Sequence, residues 1–203
     1  SRLASGLNQY GFKKGDRVLL FIPFSIKFIS VAFALFKAGA IPIFIDPGLG
    51  KKNIMRCVKE TEAQGIIATP AVHLVLKFFQ KSFRNLKHRV TTNSCWLWQG
   101  CTLRDIGNMA KPSFAYGDTF PDDPAAILFT SGSTGSPKGV VYTHEMFSRQ
   151  LEVLRSCYKI QPGEIDLSTF PLFSLFGVGI GMTTILPKMD FTRPAKVDPE
   201  KIL

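Results

Sequence analysis

Short apolar runs alternate with segments of helical period through the first half of the chain, and this alternation limits the fold more than any other feature. RVLLFI at residues 17–22, IPIFI at 41–45 and GIIAT at 65–69 read as buried strands. Between the first two, Ser25 is placed to cap a helix whose Phe28, Val31, Ala32, Leu35 and Phe36 recur at helical spacing until Gly39. Residues 52–62 and 71–83 predict two more helices. Parallel strands need a crossover connection, so the predicted class is α/β, a mostly parallel sheet flanked by helices on both faces. Leu3, Leu7 and Tyr10 ahead of Gly11 predict the last turns of a helix, and Asp198, Pro199 and Glu200 predict the first turn of another. Both ends of the chain therefore read as cuts through helices.

Composition narrows the partners. With 203 residues, 45% of them hydrophobic, the chain can bury a real core. Twenty-five basic residues against fifteen acidic ones leave a charge of +10, which favours anionic ligands: nucleotides, nucleic acid, CoA-like molecules or an anionic membrane surface. Cys57, Cys95, Cys101 and Cys157 form no CxxC pair, and His73, His88 and His144 lack metal-ligand spacing, which argues for free thiols and against structural zinc. No cationic leader with a cleavage site opens the chain, so a cytoplasmic location is expected. The uncharged stretch 167–187 approaches the ~20 residues of a membrane helix. Its Pro171, Gly177, Gly179, Gly181 and Pro187 instead predict buried strands and turns, with peripheral lipid contact left open. In KFFQKSFRNLKHR, residues 77–89, a helix would place Lys77, Lys81, Arg84 and His88 on one face and Phe78, Phe79 and Phe83 on the other. That basic face is either simply solvated or a surface for lipid or a partner enzyme; its aromatics are not spaced as in an RNA-binding motif, which disfavours nucleic acid.

The densest chemistry lies in LFTSGSTGSPKGVVYTH, residues 128–144. A predicted strand at 125–131 leads in, a second at 139–144 leads out, and a helix follows over about 145–157 with Phe147, Leu151 and Leu154 inward. Thr130, Ser131, Ser133 and Thr134 supply hydroxyls, Gly132, Gly135 and Gly139 let backbone approach closely, and Lys138 supplies one positive charge. Such a set suits a phosphate chain, whose oxygens accept many hydrogen bonds. A Walker A loop is excluded, because Pro137 stands where its second glycine belongs and a β-branched run follows Lys138. Pro137 also holds Ser136 out of helical conformation and stiffens the approach to Lys138. A plain hairpin turn is the bland reading, and the span is long for one.

TSGSTGSPKG followed by THEMF, together with GDRVLLFIPFSIKFISVAFALFKAGAIPIFIDP upstream, resembles the AMP-forming, adenylate-forming superfamily of acyl-CoA synthetases, luciferases and peptide-synthetase adenylation domains. The resemblance covers essentially the whole chain. It implies part of a large N-terminal AMP-binding domain: a first α/β portion at 1–99, an irregular connector at 100–124 and a phosphate-loop portion at 125–203. The small C-terminal domain with its catalytic lysine would lie outside the chain, leaving the chain inactive alone. It further implies that Thr130, Ser131, Gly132, Ser133, Thr134, Gly135, Ser136, Pro137, Lys138 and Gly139 bind the β- and γ-phosphates of MgATP, with Lys138 catalytic and Thr134 reaching the magnesium. A substrate carboxylate would attack the α-phosphorus, giving an acyl adenylate and pyrophosphate. His144 would position a substrate oxygen or cap the helix behind it.

Acyl-CoA synthetases commonly carry histidine directly after a P-L-F stretch, where this chain has Ser174. TFPLF, GMTT, P-x-MDFTRPA and DP resemble instead the β-lactone synthetases of bacterial long-chain olefin biosynthesis. That likeness implies a long-chain 3-hydroxy fatty acid whose adenylate closes to a β-lactone with loss of AMP, alongside partner enzymes of a hydrocarbon pathway. Phe173, Ser174 and Gly177 would then belong to the acyl pocket. The alternatives are a fatty acyl-CoA ligase, which would also take CoA, and a non-catalytic basic binding module.

Overall fold

The computed structural model describes residues 2–76, 83, 85–94, 100–112, 117–130, 137–191, 193 and 196–201, and the chain divides into two units. The first comprises residues 1–23 and 30–144, the second residues 24–29 and 145–203.

Along the chain the elements of the first unit are α1 (Arg2–Tyr10), β1 (Arg17–Phe21), α2 (Ile26–Ala38), β2 (Ile41–Ile45), α3 (Gly50–Thr61), β3 (Gly65–Ala68), α4 (Pro70–Leu76), β4 (His88–Thr91), β5 (Cys101–Thr102), α5 (Leu103–Asn108), β6 (Pro124–Thr130) and β7 (Lys138–Thr143). The first residues of α2 belong to the second unit. Seven strands form one sheet in the order β5-β4-β3-β1-β2-β6-β7. Neighbours run parallel up to β6, and β7 turns back antiparallel at the edge. The predicted parallel sheet flanked by helices, with the phosphate loop between two strands, is the architecture found. Central strands read as continuous apolar runs because helices cover both faces. Val18, Leu19, Ile66 and Ile67 are each at most 1% exposed. One core cluster joins Leu19, Ile43, Ile66 and Phe129 of the sheet to Cys57 and Val58 of α3 and Leu76 of α4. Each large apolar side chain so buried stabilises the fold by about 1.5–3 kcal/mol.

Several segments depart from the sequence reading. His88 and Arg89 lie in β4, paired with Gly65 and Ile66, so they share no helical face with Lys77, Lys81 and Arg84, which lie outside the described residues. The helix predicted over 71–83 is described from Pro70 to Leu76. Within the expected irregular connector, β5 and α5 form, and α5 starts on a reciprocal cap: the Asp105 N–H donates to Thr102 Oγ1 at 3.1 Å, and the Thr102 N–H donates to Asp105 Oδ2 at 2.9 Å. The Thr102 hydroxyl, donating to Asp105 Oδ2 at 2.7 Å, and after it the Thr102 N–H hold the Asp105 carboxyl below the usual carboxylate range, so the stability they lend is lost as pH falls through that lowered value.

In the second unit, α6 (His144–Tyr158, His144 itself belonging to the first unit) is followed by β8 (Ile165–Leu167), α7 (Pro171–Ile180) and β9 (Thr183–Ile185). β8 and β9 pair in parallel, Asp166 opposite Thr184. Residues 171–180 are thus a helix where strands and turns were expected. Pro171 occupies its first turn, and Gly181 at φ 97° ends it in the left-handed region. Its glycines serve close approach: a Cβ on Gly179 would meet Leu151 Cδ2 at 3.1 Å. Among the described residues, no helix is long and apolar enough to cross a membrane.

Candidate functional site

β6 lies parallel to β2, with Ile45 opposite Phe129, so the chain leaves β6 at the carboxyl edge of the sheet. Ligands of open α/β sheets bind at this edge. Beyond it, Thr130 pairs with Lys138 across the hairpin, which pins both ends of the loop between them. Ser131, Gly132, Ser133, Thr134, Gly135 and Ser136 lie outside the described residues. Their flanks are anchored: Phe129 is 6% exposed, and Pro137 is buried. Gly139 sits opposite Phe129, and a Cβ there would come within 3.0 Å of that ring, so the bare backbone gives the ring its seat. Lys138 itself is exposed at the mouth of the loop. The structure thus brings Thr130, Pro137, Lys138 and Gly139 together.

His144 stands elsewhere. Thr143 pairs with Pro124 at the far end of the hairpin, and His144 follows it, six residues on from Lys138 and so roughly 20 Å of extended chain away. The His144 N–H donates to the Asp123 carbonyl at 3.1 Å. Asp123 is clamped by Lys14, whose Nζ lies 2.7 Å from its carboxylate, donates to the Asp118 carbonyl at 2.6 Å and sits 4.7 Å over the Phe120 ring. Burial pushes the His144 imidazole below its ordinary pKa, the Asp123 carboxylate opposes that shift, and the Lys14 ammonium adds to it. Its contribution to stability is complete above the unfolded value of about 6.5 and is lost as pH falls towards the folded one. We expect His144→Ala to leave ATP affinity within about twofold while lowering stability by roughly 1 kcal/mol or less, read by calorimetric titration and thermal melting.

The second unit holds a groove of about 620 Å³ between α6 and α7. Val153 and Leu154 line it from α6, and Phe173, Phe176, Gly177 and Ile180 from α7. These α7 positions recur at helical spacing, so one face of the helix makes the wall. Phe173 and Gly177 of the expected acyl pocket are therefore together. Ser174 is turned away: it is fully buried, and its hydroxyl donates to the Pro171 carbonyl at 2.6 Å. Asp166 also lines the groove and was not singled out from the sequence. Its signal was an acid between two apolar residues, Ile165 and Leu167, at the start of the uncharged run. Burial pushes its carboxyl above the usual range.

Comparison with known proteins finds one family model, described as AMP-binding enzyme, matching residues 1–188. The olefin beta-lactone synthetase of Xanthomonas campestris pv. campestris is 42% identical over 98% of the chain and 36% of the relative. Its namesake from Stenotrophomonas maltophilia is 40% identical over 98% of the chain and again 36% of the relative. The chain thus spans about a third of the length of these curated relatives. Among solved structures, a long-chain-fatty-acid-CoA ligase from Archaeoglobus fulgidus superposes with a TM-score of 0.81 at 21% identity, over 99% of this chain and 39% of that one.

Proposed function

The chain belongs to the AMP-binding enzyme family, and from that premise we propose that it serves ATP-dependent activation of a long-chain 3-hydroxy acid that closes to a β-lactone. The observation that carries the reading is the loop itself, pinned by the Thr130–Lys138 pair at the carboxyl edge of a parallel sheet. There the Lys138 ammonium neutralises phosphate charge, and the hydroxyls of Thr130, Ser131, Ser133 and Thr134 donate to phosphate oxygens. These hydroxyls are hard oxygen donors of the kind that would suit a magnesium ion carried by the nucleotide phosphates. When bound, that ion supplies charge neutralisation, and Thr134 is the residue to reach it.

The substrate carboxylate oxygen forms a bond to the α-phosphorus as pyrophosphate leaves. The 3-hydroxyl oxygen then bonds to the acyl carbon, its proton passing to base, and AMP departs with the electron pair of the broken bond. Because nucleophile and electrophile share one molecule, a folded pose offsets much of the barrier without a thiol acceptor. Two features support this over CoA ligation: the likeness to β-lactone synthetases across nearly the whole chain, and Ser174 in place of the histidine that acyl-CoA synthetases commonly carry. Phe173 and Gly177 contribute to the acyl wall.

The test is AMP release by the intact protein given ATP, magnesium and a long-chain 3-hydroxy acid, with and without CoA. AMP together with a β-lactone in the absence of CoA is the expected result. AMP only when CoA is present makes the protein an acyl-CoA ligase. No AMP with any acid favours a basic binding module.

A further inference from the structure

Asp166 is a half-buried ionisable group that the proposed chemistry leaves unused. It stands on β8 directly opposite Thr184 of β9, so the two side chains share one face of this small sheet. α7 crosses that face at Gly177. A Cβ on Gly177 would lie 3.0 Å from Asp166 Oδ2 and 3.1 Å from Thr184 Oγ1, so helix backbone is pressed against both oxygens. Each of these two atoms is buried without a hydrogen-bond partner among the described residues. Native structures keep few such groups, and each invites a reason.

The groove supplies one. With Oδ2 sealed beneath α7, the carboxyl must make its hydrogen bonds on the groove side, where Val153, Phe173, Phe176 and Ile180 offer none and the polar lining is Arg149, Gln150 and Tyr158 of α6. Water serves it while the groove is open. An aliphatic chain filling the groove expels that water and strands the carboxyl, unless the chain brings a hydroxyl of its own. Arg149 and Tyr158 face the same groove from α6, and Arg149 is engaged by Glu152 at 3.1 Å and Glu145 at 3.7 Å.

We propose that Asp166 is a specificity-determining residue, recognising the hydroxyl group of an acyl chain bound in the groove between α6 and α7. This rests on the reading of the substrate as a hydroxy acid and adds the residue that tells it from a plain fatty acid. The raised pKa of Asp166 is consistent with the role, since a neutral carboxyl both donates to and accepts from a hydroxyl. Rejection follows from the polar group left unpaired when the analogue lacks its hydroxyl.

The experiment is titration of the intact protein with 3-hydroxydecanoate and with decanoate, for wild type, Asp166→Val and Asp166→Ala. Wild type is expected to favour the hydroxy acid by about tenfold or more, the scale of one hydrogen bond to an ionisable group. Both variants are expected to bind the two acids within about twofold of each other. Asp166→Val, which removes an unsatisfied carboxyl and places a β-branched residue in a strand, is also expected to melt at a higher temperature than wild type. A merely structural Asp166 would lower it. An unchanged preference in either variant, no preference in wild type, or equal weakening of both acids overturns the inference. ATP titration of the same samples reads the phosphate loop separately, so loss of nucleotide binding and loss of hydroxyl preference are distinguishable failures.

Discussion

Lys138→Ala is expected to weaken ATP binding by the chain by about 10- to 100-fold, as loss of a charged hydrogen-bond donor costs roughly 1.5–3 kcal/mol. In the intact protein, adenylate formation read by ATP–pyrophosphate exchange is expected to fall further, by about 10²- to 10³-fold, because charge on the leaving pyrophosphate builds up in the transition state. The loop's support isolates this effect. Lys138 is held in the ladder by its backbone pairing with Thr130, while its side chain is exposed. Truncation therefore removes the ammonium without opening a cavity, and the melting temperature should stay close to that of wild type. Lys138→Arg should retain part of the affinity, since it keeps the charge in a different geometry. Wild-type exchange by Lys138→Ala would remove this lysine from the phosphate site.

A second substitution of large effect lies far from any ligand. Gly6 of α1 passes so close to α5 that an added Cβ would overlap the Ile106 carbonyl group, lying 2.6 Å from its carbon. The interface around it is fixed: Ile106 is fully buried, Arg2 Nε donates to the Gly107 carbonyl at 2.8 Å, and the Lys111 N–H donates to Ser5 Oγ at 2.9 Å. The obstacle is backbone, so no side-chain rotation relieves it. Gly6→Ala gains about 1 kcal/mol of helix propensity and loses more to overpacking. We expect net destabilisation of about 2 kcal/mol or more, lowering the melting temperature by roughly 4–8 °C. Gly107→Ala provides the control within α5. Its Cβ would meet nothing nearer than Arg2 Nε at 4.0 Å, so propensity alone acts and the change should be neutral or stabilising. Equal melting temperatures for the two variants would refute the close-approach argument.

Elements with a strong apolar signature were legible in the sequence. β1, β2 and β3 are buried on both faces, and β6 is buried at Ala125, Ala126, Leu128 and Phe129 on its way to the loop. β4 escaped notice because it begins with half-buried His88 and Arg89, and Val90 and Thr91 alone reach the interior. α5 is too short for a periodic pattern, though Thr102 followed by Asp105 carries a capping signature. α7 was misread because Gly177 and Gly179 depress helix propensity. Each is explained by what the helix presses against, Asp166 and Thr184 at one and Leu151 at the other.

Of the candidate site, the hydroxyls, glycines and lysine of residues 130–139 were legible as a group because they are contiguous in the sequence. So was the α/β class, which follows from the period of each segment and the crossovers that parallel strands require. The strand order β5-β4-β3-β1-β2-β6-β7, the roughly 20 Å that separates His144 from Lys138, and the pairing of Asp166 with Thr184 beneath Gly177 depend on which distant segments meet. No local pattern encodes those meetings. They are decided when the sheet and its helices pack, because burial of apolar surface is non-directional and only close-packed shape selects one register and one set of neighbours.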